Sequence, residues 1–163
     1  MIKQFIPDSF EAPLTHESNH FCFVPLAPPV AAKDHEAVMS SVDSLKGIFG
    51  KTSDWPKASL TLVENTKSLE QHKYEFEKKL AFAYSVFNST KDLCLGSIYI
   101  DPSQSSQFDC DVYFWIRDSH IHLETELKNE IDAWFKAVWP FKAVAYPGRE
   151  ISWEAWESII ETN

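Results

Sequence analysis

Glycine is scarce in this chain, and its absence from key patterns excludes several kinds of site. Only four glycines occur among the 163 residues. None of them forms a P-loop, a dinucleotide-binding fingerprint or a Gly-x-Ser-x-Gly nucleophile elbow. We therefore expect neither nucleotide chemistry of those two types nor a serine nucleophile presented on such an elbow.

Long apolar runs are also missing. No stretch approaches the roughly 20 apolar residues that a membrane-spanning helix needs. The N-terminal sequence MIKQFIPDSFEAP has neither the continuous apolar region nor the cleavage pattern of a secretory signal. From these patterns we expect no membrane partner and a cytoplasmic location.

Positive charge is in short supply. The formal net charge is −9 and the sequence pI is about 5.1. Neutralising nucleic-acid phosphates requires clustered Lys and Arg, so we expect no nucleic-acid partner. An anionic cofactor would need a local concentration of cations. Around residues 117–124 the sequence offers only Arg117 and Lys128.

The three cysteines are widely spaced and odd in number. Cys22, Cys94 and Cys110 all lie in apolar, strand-like runs. Buried free thiols are therefore expected, as in a reducing compartment. A cysteine nucleophile is not expected, because none of the three has a polar or basic setting.

The length and composition are typical of a single packed domain. Hydrophobic residues make up 44% of the sequence, and a chain of this size buries roughly 70% of its unfolded surface. We divide the chain into an N-terminal arm, residues 1–19, that packs irregularly or frays, and one domain, residues 20–163. No internal repeat or low-complexity segment is present.

Hydrophobic periodicity predicts nine elements after the arm. Thr61 and Glu64 have capping-box spacing and mark the start of the second helix. The predicted strands are 20–26, 82–87, 93–100, 108–117 and 142–146, and the predicted helices are 31–49, 60–80, 121–138 and 152–161.

The resulting order is β-α-α-β-β-β-α-β-α. It predicts an α/β fold of the α+β type, with a mixed, mostly antiparallel sheet flanked by helices. The strands before and after helix 121–138 are expected to be parallel, because a helical crossover joins them.

The stretch 93–135 carries a resemblance to a known family. Its strands LCLGSIYI and DVYFWIR, a polar turn between them and an amphipathic helix after them occur in this order. This order resembles the core of the GNAT superfamily of N-acetyltransferases, and the likeness extends over about residues 20–160. The family usually has a glycine-rich turn, Arg/Gln-x-x-Gly-x-Gly/Ala, before the helix. Residues 117–124 contain no glycine.

The resemblance implies a GNAT-like fold and acetyl-coenzyme A as cofactor. In the family, the strand corresponding to 112–116 splays from its parallel neighbour, here 143–146, and the pantetheine arm lies in the gap. A pyrophosphate would lie at the start of the following helix. The residues implied to bind the cofactor are Phe114, Trp115, Ile116, Arg117, His120, Ile121, His122 and Leu123.

Two catalytic candidates follow from the resemblance. Asp111 precedes the splayed strand and is a candidate base, and Tyr146 ends the parallel strand and is a candidate acid. Asp111 could instead be a solvated strand-end acid, and Tyr146 a core tyrosine with its hydroxyl at the rim. Glu75 and Glu77 face either an acceptor or solvent.

The implied activity is acetyl transfer to an amine, on a small molecule or a protein, without a covalent intermediate. The alternative is a non-catalytic GNAT-like binding or assembly module that uses an aromatic groove for another ligand or partner. Arg149 is either a surface residue paired with Glu150 or a cation for a carboxylate or phosphate.

Two further expectations concern metal and assembly. Asp118, His120 and His122 do not form a metal motif, because residues two apart share a side only in extended backbone and a helix begins here. The aromatic C-terminal segment makes a homodimer plausible.

Overall fold

A computed structural model describes residues 4–162 of the protein. Its centre is one six-stranded sheet in the spatial order β1-β2-β3-β4-β5-β6. All neighbouring strands are antiparallel except β5 and β6, which are parallel. The strands are β1 (His16–Glu17), β2 (Phe21–Pro25), β3 (Phe82–Asn88), β4 (Cys94–Pro102), β5 (Cys110–Ile116) and β6 (Val144–Ala145).

Over residues 4–162, five α-helices connect and cover the sheet. Short 3-10 turns precede α1 and α4, at Pro28–Val30 and Asp118–Leu123. The α-helices are α1 (Ala31–Met39), α2 (Val42–Leu45), α3 (Leu62–Glu77), α4 (Glu124–Val138) and α5 (Trp153–Glu161). The predicted class, a mostly antiparallel mixed sheet flanked by helices, is confirmed.

The two faces of the sheet have separate cores, because side chains alternate along each strand. Phe114 of β5 packs in the core that contains Leu127 and Ile131 of α4. Trp115, the next residue, packs in the core that contains Val38 of α1 and Leu69 of α3. Helix α4 therefore covers one face of the sheet, and α1 and α3 cover the other.

The predicted helix 31–49 is shorter in the structure. Helix α1 ends at Met39, and a short α2 follows after Ser40 and Ser41. The Ser40 hydroxyl donates to the carbonyl of Ala37 at 2.6 Å. The Ser41 hydroxyl accepts from the Asp118 amide at 2.9 Å. Serine side chains that bond to backbone groups compete with regular helix, which explains the break.

Other predicted boundaries hold within a few residues. The Thr61 hydroxyl caps α3 by accepting from the Glu64 amide at 3.1 Å, which confirms the predicted helix start. Helix α4 begins at Glu124 rather than at 121, because residues 118–123 form a 3-10 turn. The three cysteines are buried free thiols, as predicted.

The N-terminal arm packs on the sheet over the part that the structure describes. His16–Glu17 pairs with β2, which the sequence pattern did not predict. Ile6 is buried in the core on the α4 side. The Tyr84 hydroxyl donates to the Pro13 carbonyl at 2.7 Å. Residues 1–3 and 163 lie outside the described range.

Between residues 4 and 162, none of the helices has both the length and the apolar character required to cross a bilayer.

Candidate functional site

The sheet opens between its two parallel strands. β5 and β6 pair only at Cys110 with Val144 and at Asp111 with Ala145. After Tyr146 the chain turns away at Pro147 and Gly148 instead of continuing beside β5. We call the gap between residues 112–116 and residues 146–149 the wedge. Among the described strands, none pairs with this edge of β5 along the wedge.

A tight turn brings Arg149 into the wedge. Gly148 has φ +78°, a conformation that favours glycine, and an added Cβ would lie 2.5 Å from the Trp153 ring. The Gly148 amide donates to the Ile151 carbonyl at 2.7 Å. Glycine at this position therefore allows the turn that directs the next residue back toward β5.

The Arg149 guanidinium occupies the edge that β6 leaves open. It donates to the Phe114 carbonyl at 2.7 Å and lies 3.7 Å from the centroid of the Phe114 ring. It also forms an ion pair with Glu124 at 3.3 Å. A side chain thus replaces a strand as the partner of the Phe114 carbonyl.

Three cavities adjoin Arg149, with volumes of about 250, 340 and 420 Å³. Phe114 and Arg149 both line two of them. Trp115, Ile116 and Ile121 line the third, which extends to the start of α4. We call these three cavities together the groove, and Arg149 lines all three.

The turn before α4 is closed by protein groups. Arg117 makes a two-pronged ion pair with Glu36, at 2.8 and 2.7 Å, and also donates to the Cys94 carbonyl at 3.1 Å. This contact lowers the pKa of Glu36. The Asp118 amide is bonded to Ser41. Arg117 therefore anchors the turn to α1, and its guanidinium does not face the groove.

The first turn of α4 is acidic. Glu124 and Glu126 lie there, where carboxylates stabilise the helix dipole.

The rings of His120 and His122 stack with their centroids 6.0 Å apart, and Ser119 bonds to His120 at 2.8 Å. Among residues 4–162, no group of three or more His, Cys, Asp or Glu side chains is placed to hold a metal ion.

The predicted cofactor residues therefore separate into two sets. Phe114, Trp115, Ile116 and Ile121 line the groove. The other four lie in the preceding turn and line none of these cavities: Arg117, His120, His122 and Leu123.

Asp111 points away from the wedge, toward the α1 and α3 face. Its carboxylate accepts from the Ser103 hydroxyl at 2.6 Å and from the Gln104 amide at 2.9 Å. Burial raises its pKa, although the Ser103 bond opposes this. Asp101, directly opposite on β4, is its cross-strand neighbour.

Tyr146 is buried beneath α4. Its hydroxyl donates to Asp132 at 2.6 Å, and the Lys128 ammonium lies 4.3 Å from the centroid of its ring. Lys128 also contacts Asp132 and Glu150, each at 2.6 Å. Burial, followed by the nearby Asp132 carboxylate, raises the pKa of Tyr146, so it stays protonated at neutral pH. The structure does not bring Tyr146 and Asp111 together on one surface of the groove.

The sequence patterns did not predict the distant residues that bond to the site residues. Glu36 is 81 residues from Arg117, and no local pattern joins them. A second group of titratable residues, Asp34, His72 and Asp101, lines a different cavity with Glu75. Asp101 lies one residue beyond the predicted strand 93–100, but β4 extends to Pro102, and the period of two then places Asp101 on the same face as Tyr99.

Comparisons with known proteins identify similar solved structures. No protein-family model and no curated protein matches the sequence. The ribosomal-protein-S5-alanine acetyltransferase of Vibrio fischeri has a TM-score of 0.58 and 16% identity, covering 77% of this chain and 69% of that chain. A Vibrio cholerae protein, provisionally described as a ribosomal-protein-serine acetyltransferase, has a TM-score of 0.53 and 14% identity. That match covers 73% of this chain and 60% of the other. At these identities the likeness shows a shared fold.

Proposed function

We propose, from the GNAT fold that this chain has, that it transfers an acetyl group from acetyl-coenzyme A to an amine by direct attack. The observation that carries the proposal is the wedge. Parallel pairing stops after Asp111 and Ala145, and the next stretch of β5 has no strand on that edge. An extended ligand that bears amide groups can bind such an edge as an added strand would.

The residues of the wedge suit the pantetheine arm. The Phe114 carbonyl faces the gap and accepts a hydrogen bond from a side chain, so a ligand amide can take the same position. Trp115, Ile116 and Ile121 supply apolar wall at the end nearer α4. These residues would hold the arm through one backbone acceptor and apolar contacts.

The phosphate end of the cofactor needs a cation, and Arg149 is the best placed. Arg117 is tied by two bonds to Glu36 and is nearly buried. Arg149 pairs with Glu124 through a single, partly exposed contact, which contributes about 0–1 kcal/mol. In this proposal the Arg149 guanidinium leaves the Phe114 carbonyl and pairs with a phosphate group of the cofactor. Arg117 holds the turn before α4 in position.

When bound, acetyl-coenzyme A supplies an acetyl group activated as a thioester. Asp111 remains our candidate base, because burial raises its pKa and so makes the carboxylate a better proton acceptor. Tyr146 remains our candidate acid, because it keeps its proton at neutral pH. Each must turn from its present partner to act, Asp111 from Ser103 and Tyr146 from Asp132.

The acceptor in this proposal is a small-molecule or protein amine. The two similar structures are named for ribosomal proteins, which favours a protein amine.

A second function is favoured by the contacts of the same residues. Asp111 and Tyr146 are both bonded away from the groove, and Arg149 fills the open edge. This arrangement suits a non-catalytic module of the same fold, in which the aromatic groove holds another ligand or a partner.

Titration with acetyl-coenzyme A separates the two functions. At a concentration one hundredfold above Kd, a ligand that binds the folded state adds about 2.7 kcal/mol of stability. For a chain of this size we expect an increase in melting temperature of several degrees. No change at millimolar cofactor would favour the non-catalytic module.

Variants then test the chemistry. With a panel of primary amines, release of free coenzyme A thiol reports turnover. We expect Asp111→Asn and Tyr146→Phe to slow thiol release while the cofactor-induced increase in melting temperature remains. If both variants turn over at the wild-type rate, neither residue takes part in the mechanism.

A further inference from the structure

A cavity of about 370 Å³ is lined by residues of α1, α3, β3 and β4 and by the segment between α2 and α3. This volume is in the range of ligand sites, roughly 300–1,000 Å³. We call it the acidic cavity and define it by three carboxylates and three aromatic rings. They are Asp34, Glu75, Asp101, Phe49, Trp55 and Tyr99.

The charges of the acidic cavity are not balanced by its own walls. Within residues 4–162, no Lys or Arg lines it. His72 is the one basic group among them, and burial lowers its pKa, so the imidazole is neutral at physiological pH. The cavity therefore brings carboxylates together with no cation among its described lining residues, and burial raises the pKa of Asp34 and of Asp101.

The three carboxylates differ in how well they are satisfied. Asp34 is buried and accepts from the Asn65 amide at 2.8 Å and from the Ser97 hydroxyl at 3.4 Å. Glu75 lies 4.0 Å from the neutral His72 ring. Within the described part of the chain, the Asp101 carboxylate has no hydrogen-bond or ion-pair partner, whereas its backbone pairs with Asp111 of β5. Glu75 and Asp101 thus leave acceptor capacity directed at the cavity.

The shape and walls of the cavity favour an organic cation over a metal ion. Within residues 4–162 the carboxylates do not converge as a metal-binding group. Phe49 packs against Trp55 and Tyr99, with centroid separations of 5.3 and 4.9 Å. Aromatic walls next to carboxylates attract an ammonium group and also cover the apolar part of the same ligand.

We propose that the acidic cavity is a binding site for a small organic ammonium ion. Asp101 and Glu75 would accept from the ammonium group, and Phe49, Trp55 and Tyr99 would enclose its apolar portion. This site does not depend on cofactor binding in the wedge. Phe49 also packs against Tyr113, which lines a wedge cavity, so its ring separates the two sites.

The test uses two probes of the same shape that differ in charge. 2-Phenylethylammonium carries the positive group, and 2-phenylethanol is its neutral counterpart. Isothermal titration with the purified 163-residue chain, without acetyl-coenzyme A, should show the ammonium probe binding at least about tenfold more tightly than the neutral probe. Equal binding of the two probes, or no binding of either at millimolar concentration, would overturn the proposal.

Three variants locate the binding. Asp101→Asn and Glu75→Gln should each weaken binding of the ammonium probe by about tenfold. Glu70→Gln removes the same charge from an exposed position on α3 that does not line the cavity, and it should leave binding unchanged. If Glu70→Gln weakens binding as much as the other two, the probe responds only to the net negative charge and the site does not exist. The variants' melting curves check that each is folded.

Discussion

The guanidinium of Arg149 lies where the sheet edge opens, and Phe114 and Glu124 hold it there. A hydrogen bond from a charged donor contributes about 1.5–3 kcal/mol, and an exposed cation–π contact about 0.5–1 kcal/mol. A ligand that replaces the bond to Phe114 and offers phosphate to the freed guanidinium can compensate for both losses. The same contacts that fill the wedge can therefore give way to a cofactor.

Removing the Arg149 side chain tests this exchange. We expect Arg149→Ala to weaken acetyl-coenzyme A binding by at least about tenfold and to reduce its dependence on salt, because a phosphate partner is lost. Lys136→Ala is the control, since Lys136 is exposed on α4 and lines none of the groove cavities. Titration calorimetry measures the affinity. An Arg149→Ala variant that bound acetyl-coenzyme A more tightly than the wild type would contradict this role.

Asp101 gives a prediction about pH and stability. Burial, with the charges of Glu75 and Asp111, raises its pKa from 3.8 to about 6. Nearby titratable groups on the packed helices are Asp34 on α1 and His72 on α3. Because the folded state binds this proton more tightly than the unfolded state, the contribution of Asp101 to stability falls as the pH rises from about 4 to above 6.

Replacing Asp101 with Asn removes that penalty. We expect Asp101→Asn to raise the free energy of unfolding at about pH 8 by roughly 1–3 kcal/mol, and to change it little near pH 4. Urea unfolding at the two pH values measures the difference. An equal effect at both values would show that the charge of Asp101 is not the cause.

Single residues of the site were predictable where they follow a strand pattern. Phe114, Trp115 and Ile116 line the wedge because their positions on β5 fix their backbone beside the gap. Arg117 was expected near the cofactor, but it pairs with Glu36 across 81 residues of sequence. Such a contact depends on how α1 packs on the sheet, which local spacing does not encode.

Strands β4 and β5 form the element on which the site is built. They pair from Gly96 with Ile116 to Pro102 with Cys110, and most of their residues are buried. Gly96 lies against the β5 backbone so closely that a Cβ would be 1.9 Å from the Trp115 carbonyl oxygen. The hairpin therefore requires glycine at this point to keep Trp115 and Ile116 at the wedge.

We expect Gly96→Ala to destabilise the protein by roughly 1–3 kcal/mol, since the contact is with backbone that must shift. Denaturant unfolding measures the loss. Ser59→Ala, at an exposed loop position, is a control expected to change stability by less than about 0.5 kcal/mol. A Gly96→Ala variant as stable as the wild type would contradict the packing described here.

For the helices, hydrophobic periodicity predicted which residues are buried but not where each helix ends. The apolar spacing through Val42 and Leu45 continues the pattern of α1, and Leu45 is indeed buried, but the backbone breaks at Ser41. The periodicity of apolar residues indicates which face of a helix is buried. It does not indicate where a side-chain hydrogen bond to the backbone interrupts the helix. β1 has only two residues, too few for any periodic signal.

The whole molecule has a net charge of −9, and the cations near the wedge are paired with carboxylates. Arg117, Arg149 and Lys128 each contact a carboxylate there. An anionic ligand bound in the groove, as we propose, would have to displace these carboxylates from their cations. The acidic cavity, on the α1 and α3 face, has no such internal cation among its lining residues.

Hydrogen exchange with and without acetyl-coenzyme A tests the proposed use of the wedge most directly. Backbone amides of residues 112–123 and 145–150 should exchange more slowly with the cofactor present, whereas those of α3 should be unchanged. Free 3′-phosphoadenosine, which lacks the pantetheine arm, should not protect residues 112–116. Unchanged exchange across the wedge at saturating cofactor, or protection confined to another part of the chain, would contradict a cofactor site between β5 and β6.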